Sequence, residues 1–284
     1  MSRTVAGRLL LLVAVCIAFV RDDGSGRSLL AAEVTDLTTW TVVEDPPDPA
    51  FSADVGVTTA RLLAGDASID RGTDIGLQSI DGLTVGDSTA GFFFDHREDF
   101  ALAIDYRWSF DSADGFLGLG FGIGEDSDGQ NSAGVAMLTR DGGAFGPFAA
   151  TGRTNDVDLT PQTLSSETAS LEGSLFVSYD AASGDITLGA NDVIGAAAPD
   201  RTATFAGLQN DWNDQGLLAS FFIRSDGPLP PNRWNGGNGE ATFENFRVLS
   251  GSATAVPEPS LAWLAVSGLA WYGRRRLRHR SKPA

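Results

Sequence analysis

From residue 33 onward the chain alternates apolar and polar positions in short runs, and the alternation has period two. The clearest run is Phe100 to Phe110, where Phe100, Leu102, Ile104, Tyr106, Trp108 and Phe110 share one parity. Ala101, Ala103, Asp105, Arg107 and Ser109 take the other. A helix would scatter those six large residues around its circumference, whereas a strand places them on one face. In Phe116 to Ile123, Leu117, Leu119, Phe121 and Ile123 alternate with Gly118, Gly120 and Gly122. A strand bare on one face admits close approach by a neighbouring sheet, an aromatic side chain or a ligand. Further strands are predicted at Val135 to Arg140, Leu175 to Tyr179, Asp185 to Gly189, Thr202 to Phe205, Leu217 to Arg224 and Thr242 to Leu249. Gly184 closes a hairpin between the second and third of these, where a positive φ suits glycine. A phase slip in the last one predicts a bulge near Glu244-Asn245. Trp40 anchors the first strand. Gly142 to Gly173 is polar, contains Pro147 and Pro161, and reads as a long loop with room for one short strand.

No helix is predicted between Glu33 and Gly251, and no repeat of fixed period points to a propeller or solenoid. About a dozen antiparallel strands in one body then form two packed sheets, an all-β jelly-roll sandwich. The ends differ. Arg3 and Arg8 precede the 12-residue apolar stretch Leu9 to Val20, the layout of a secretory signal, with cleavage expected after Ala32. At the other end Pro257-Glu258-Pro259 is followed by an apolar run from Leu261 to Tyr272 and by Arg274, Arg275 and Arg276. Twelve residues span about 18 Å as a helix at about 1.5 Å each, short of the roughly 30 Å hydrocarbon core. This end resembles the PEP-CTERM sorting signal of bacterial exported proteins. The resemblance implies a short terminal hydrophobic helix, a transient membrane hold and an exosortase-type processing enzyme as partner. The domain plan is therefore a signal at 1–32, a sandwich at 33–251 and a sorting segment at 252–284, in a protein destined for the cell surface.

Charge narrows the function classes. Between residues 33 and 255 there are 10 basic and 34 acidic residues, net −24. Such a body repels nucleic acid and anionic lipid, so no nucleic-acid partner is expected. The single cysteine, Cys16, lies in the N-terminal apolar run after Val15, too large a residue for a lipoprotein site, and the body has no disulfide. His96 is the body's one histidine. A serine nucleophile therefore lacks a base, no Gly-x-Ser-x-Gly elbow occurs, and zinc lacks its nitrogen and sulfur ligands.

Val177-Ser178-Tyr179-Asp180 with Gly184-Asp185-Ile186-Thr187-Leu188, and Ala241-Thr242-Phe243-Glu244-Asn245-Phe246-Arg247-Val248, resemble late strands of concanavalin A-like lectin and glucanase domains. Glucanases of that fold carry Glu-x-Asp-x-x-Glu on one strand; no Glu-x-Asp occurs here, so a hydrolase would need another carboxylate pair. Two other chemistries are suggested. The acidic stretch at Glu125, Asp126 and Asp128 begins like a calcium loop, although Gly129 comes early and Met137 stands where the pattern of helix-loop-helix calcium sites has glutamate. Ca2+ is the cofactor this stretch suggests; a plain solvated turn is the other reading. Trp212 with Asn213 and Asp214, and Trp234 with Asn235, pair flat apolar rings with directional polar groups, as sugar binding requires. A loop tryptophan can equally fold back as a lid over the sandwich end. The resulting expectation is a non-catalytic carbohydrate-binding protein of the cell envelope or its extracellular polysaccharide. The alternatives are a hydrolase acting through a carboxylate pair and a purely structural surface protein.

Overall fold

The computed structural model describes residues 34–256 except 112–114, 140–144, 165–168, 214 and 227–232. Seventeen strands are described. The first five are β1 (Thr41–Asp45), β2 (Phe51–Val55), β3 (Thr59–Ala64), β4 (Asp74–Gln78) and β5 (Phe92–Phe94). The central ones are β6 (Phe100–Asp111), β7 (Gly118–Gly124), β8 (Ser132–Thr139), β9 (Phe145–Thr154), β10 (Val157–Asp158) and β11 (Gln162–Thr163). The last are β12 (Glu172–Asp180), β13 (Asp185–Asn191), β14 (Arg201–Phe205), β15 (Leu218–Arg224), β16 (Asn238–Ser250) and β17 (Ala253–Ala255).

Sheet 1 has the order β1-β4-β15-β7-β8-β9-β10, with β11 also on β9; sheet 2 has the order β14-β13-β12-β6-β16-β3-β2. Every pairing is antiparallel, so the expected all-β jelly-roll sandwich is what the chain forms. The apolar parity of each strand explains why. Leu102, Ile104 and Tyr106 of β6 and Phe243 of β16 are buried from sheet 2, against Leu119, Phe121 and Ile123 of β7 and Phe221 of β15 from sheet 1. Rings meet across the layer, with Phe221 and Phe243 centroids 4.6 Å apart and Tyr106 and Phe148 5.7 Å apart. Each such side chain withdrawn from water stabilises the fold by about 1.5–3 kcal/mol.

The turn chemistry also follows the sequence. Gly184 has φ +74° and closes the β12–β13 hairpin, its N–H donating to Asp180 O at 2.8 Å. The β16–β6 register shifts between Glu244 and Arg247, with Asn245 at φ +53° in the predicted bulge. The bare face of β7 accommodates one of the three anticipated neighbours, an aromatic side chain, together with the adjacent strand of its own sheet. A Cβ at Gly122 would stand 2.4 Å from Ala133 O of the next strand, and one at Gly120 would stand 2.6 Å from the Phe222 ring.

Two stretches differ from expectation. Within Gly142 to Gly173, read as a loop, β9 supplies ten residues paired with β8, and Phe148 and Ala150 are buried. Its alternation is masked by small residues and by Pro147. That proline is tolerated because the β8–β9 register shifts between Met137 and Thr139, where a ladder donor is dispensable. Beyond Gly251 the chain is still ordered: β17 pairs with β5, and Val256 N donates to Gly91 O at 3.0 Å. The apolar segments expected as terminal helices lie outside the described residues. Among the described residues, no helix is long and apolar enough to cross a membrane.

Candidate functional site

The residues proposed for sugar contact serve other ends. Trp234 is 0% exposed, its indole N–H donating to Gly65 O at 2.8 Å and its ring 5.1 Å from Phe110. Trp212 is 6% exposed and donates to Arg153 O at 3.2 Å. Neither ring offers a face to a ligand, because an indole with its N–H satisfied gains more from burial than from standing in water. Asn213 donates from N and Nδ2 to Glu125 Oε2 at 2.7 and 3.3 Å. Asn235 is exposed in a bridge to Ser68. Asp214 lies outside the described residues.

The acidic turn is likewise structural. Glu125 is buried and also accepts from Asn131 Nδ2 at 3.1 Å and Gln215 N at 2.9 Å, tying the Trp212 loop to the turn. Asp126 accepts Gln130 N at 2.7 Å and Asn131 N at 3.2 Å. Burial raises the Asp126 carboxyl, the two backbone N–H groups oppose that, and Asp128 and Glu125 add to it. Asp128 is exposed. The oxygens a cation would need are already held by N–H donors. Among the described residues no group of three or more acidic, histidine or cysteine side chains is placed to hold a metal. His96 sits where β5 gives way to β6, its carbonyl accepting Tyr179 OH at 2.7 Å and its Nδ1 3.8 Å from Asp95.

The group that stands out is one the sequence did not mark. The register of sheet 1 sets its outward side chains in rows. One row runs Asp45, Asp74, Arg224 and Gly118 across β1, β4, β15 and β7. The next runs Val43, Gly76, Phe222, Gly120, Ala136 and Ala149, and a third runs Thr41, Gln78, Ser220, Gly122, Gly134 and Thr151. Among the described side chains of these rows most are small or polar, and the half-buried Phe222 ring is the largest apolar one. At its margin Asp74 has a side chain 26% exposed and lies 3.4 Å from Arg224 Nη1. Burial pushes the Asp74 carboxyl up to about 6; Arg224 pulls it back and Asp45, opposite it on β1, pushes it further. A carboxyl that keeps its proton up to about pH 6 has the feature a general acid needs. The sequence singles out neither Asp45 nor Asp74, and only the register places the two side by side.

The outer face of sheet 2 carries more charge and leaves less of it free. Arg61 holds Glu240 at 2.8 Å, and Arg107 bridges Glu172 and Glu244. Asp105, wholly buried, takes both Nη atoms of Arg247 at 2.9 Å, Ser174 Oγ at 2.6 Å and Asn245 Nδ2 at 3.1 Å. Burial alone would raise that carboxyl; the bonds from Arg247, Ser174 and Asn245 outweigh it and hold it below the usual range.

No protein-family model and no curated protein sequence matches the chain. Solved structures do resemble it. An alginate lyase from Pseudomonas aeruginosa aligns at 16% identity and TM-score 0.46, covering 75% of this chain and 98% of that one. A Bacteroides ovatus mixed linkage glucan GH16 protein aligns at 10% identity and TM-score 0.43, over 77% and 98% of the two chains. A glycosyl hydrolase family protein from Mycobacterium fortuitum aligns at 12% identity and TM-score 0.41, over 74% and 91%. At these identities the likeness concerns the fold. The expectation of a non-catalytic body is set aside: the proteins sharing this fold are named as an alginate lyase, a GH16 protein and a glycosyl hydrolase family protein, and the likeness itself assigns no activity to this chain. Activity in this chain has to be sought in its own residues.

Proposed function

We propose that this chain is an exported glycan-active hydrolase whose working surface is the outer face of sheet 1, with Asp74 as its general acid. The observation that carries the reading is the half-buried Asp74 carboxyl, held protonated up to about pH 6 beside a second carboxylate, Asp45. Glycosidic bond hydrolysis needs that combination. One carboxylic acid gives its proton to the glycosidic oxygen as the carbon–oxygen bond breaks, and a second carboxylate assists attack at the anomeric carbon, water supplying the new hydroxyl. Phe222, in the neighbouring row, provides an apolar plate for a sugar ring, and the half-buried Ser220 and Thr151 offer hydroxyls in the row beyond.

Export is part of the proposal and rests on the terminal segments: the signal-like residues 1–32, and Pro257, Glu258 and Pro259 ahead of the apolar run and Arg274, Arg275 and Arg276. An exosortase-type enzyme would then release the acidic body from its transient membrane hold at the cell surface.

The test is reducing-sugar release by the full chain from a panel of polysaccharides. The wild type is expected to lose activity as pH rises through about 6, because the acid form of Asp74 is the competent one. Asp74→Asn should abolish turnover while leaving the protein folded. No release from any polymer, or a fully active Asp74→Asn variant, would overturn the reading.

A further inference from the structure

The pairing of β4 with β15 continues past the ends of both strands. Ser225 N donates to Thr73 O at 2.8 Å and Gly72 N to Ser225 O at 2.7 Å, which brings Arg71 and Asp226 alongside the Asp74–Arg224 pair. Arg71 Nε donates to Asp226 Oδ1 at 2.7 Å, a full charge-assisted bond. The other oxygen, Asp226 Oδ2, stands 3.9 Å from Arg224 Nε. Arg224 also donates from Nη1 to Asp74 Oδ2 at 3.4 Å, near the long limit of a hydrogen bond. Its Nε is buried and, among the described residues, meets no hydrogen-bond acceptor. A guanidinium with a single carboxylate to serve closes to about 2.8 Å, commonly through two nitrogens. Arg224 does neither, because two carboxylates share it.

The geometry points to Asp226 as a positioning residue: anchored by Arg71, it draws on Arg224 and so keeps that guanidinium from closing onto Asp74. The inference rests on Asp74 being the general acid of the proposed reaction, since only then does this spacing govern catalysis. A guanidinium bonded to both oxygens of Asp74 would hold it as a carboxylate, which has no proton to give. With the arginine gone, Asp74 would face the like charge of Asp45 alone and become a weaker acid. Sharing one arginine between two carboxylates gives the intermediate case, in which Asp74 keeps its proton up to about pH 6. The other charges close to β4 are engaged elsewhere or face away. Glu44 takes the opposite face of β1 from Asp45, Asp54 of β2 lies 4.0 Å from Arg61, and Asp70 is paired in water with Arg233 at 3.1 Å. Among the described residues, Arg224 forms ion pairs with Asp74 and Asp226 alone.

The experiment follows the Asp74 side-chain carboxyl of the full chain by carbon NMR as pH is varied, and measures the pH profile of reducing-sugar release in parallel. Asp226→Asn is expected to lower the Asp74 midpoint by about one unit as Arg224 closes onto it. The alkaline limb of the activity profile should move down with it. Arg71→Gln should shift both readouts upward by a smaller amount, because Asp226 is then left to Arg224. Arg71 is 57% exposed, so this second variant keeps the test alive if Asp226→Asn does not fold. Asp70→Asn removes an equal charge from an exposed pair on the same turn and should move neither readout, which separates a local contact from the general field. An Asp74 midpoint unmoved by Asp226→Asn and Arg71→Gln, or moved as far by Asp70→Asn, overturns the inference whether or not any polymer is cleaved. Midpoints that move as expected in a chain that releases no sugar support the placing of Arg224 by Asp226 and overturn only the proposed function.

Discussion

The two outer faces of the sandwich each hold one carboxyl at a strand position where water is largely excluded, and the two behave oppositely. On sheet 2, Asp105 is wholly buried yet depressed, because Arg247, Ser174 and Asn245 supply donors to the charged form. On sheet 1, Asp74 is only partly buried yet raised to about 6, because a single arginine 3.4 Å away does not offset its burial, and Asp45 adds a like charge. Burial therefore does not set the direction of a shift; the number of donors on the charged form does. The consequence is a division of labour. Asp105 closes the β16 bulge onto β6 and the 192–198 segment, whereas Asp74 keeps an exchangeable proton at the margin of an open face.

The comparison breaks most severely if the donors are taken from Asp105. Arg247→Ala leaves a buried carboxylate without its bidentate partner, and a loss of about 3–5 kcal/mol is expected by denaturant unfolding, enough to unfold a marginal domain. Arg247→Lys should recover only part of it, since one ammonium cannot reproduce the fork. If Arg247→Ala costs no more than an exposed substitution, Asp105 is not a structural hub.

The next effect has the opposite sign. Asp74 binds its proton more tightly in the folded state than at its ordinary value of 3.8, so its contribution is most favourable at low pH and is lost as pH rises through about 6. Asp74→Asn should then stabilise the protein above pH 7 by about 1–3 kcal/mol and flatten the stability profile between pH 4 and 6. Asp105 runs the other way. Its depressed carboxyl contributes stability above the ordinary aspartate range that disappears as the solution is acidified, so acid unfolding of the Asp74→Asn variant should persist. A profile unchanged by Asp74→Asn would show that this carboxyl is not raised.

The smallest effect concerns charges in full contact with water. Glu172→Gln removes one of the two partners of Arg107, both side chains about half exposed, and should change stability by no more than about 1 kcal/mol, less in high salt. A larger loss would mean that the exposed pairs of sheet 2 act as a network, and that its face differs from sheet 1 in more than Asp105.

Much of the fold is legible in the chain, and much of the site is not. Phe100 to Phe110 has its parity written in large side chains, so a strand buried on one face follows from the residues alone. Gly184 and the phase slip at Glu244-Asn245 mark a turn and a bulge because both need backbone conformations that few residues favour. β9 escapes notice because its inward positions are filled partly by alanine and glycine, and because Pro147 signals a break that a register shift absorbs. Trp212 and Trp234 look available for a ligand because their sequence neighbours are polar. Those neighbours turn out to bond the surrounding loops while the indoles turn inward onto Arg153 O and Gly65 O. The partners of Glu125 are illegible for the same reason: its donors come from Asn213 and Gln215, some ninety residues away.

What the sequence by itself determined is therefore the class of structure and the sign of the field. Period-two alternation without helical stretches dictates packed sheets, and ten basic residues against 34 acidic ones dictate a body that repels polyanions. These are properties of composition and local pattern, and they survive any arrangement of the strands. Only the tertiary structure decided which carboxyls differ from the rest. Asp45 and Asp74 are separated by twenty-eight residues and a different strand pair, and become neighbours through the β1–β4 register. Asp105 meets Arg247 only because β6 and β16 lie side by side. A carboxyl's proton affinity depends on what stands within a few ångströms of it, and in a sandwich those neighbours come from other strands.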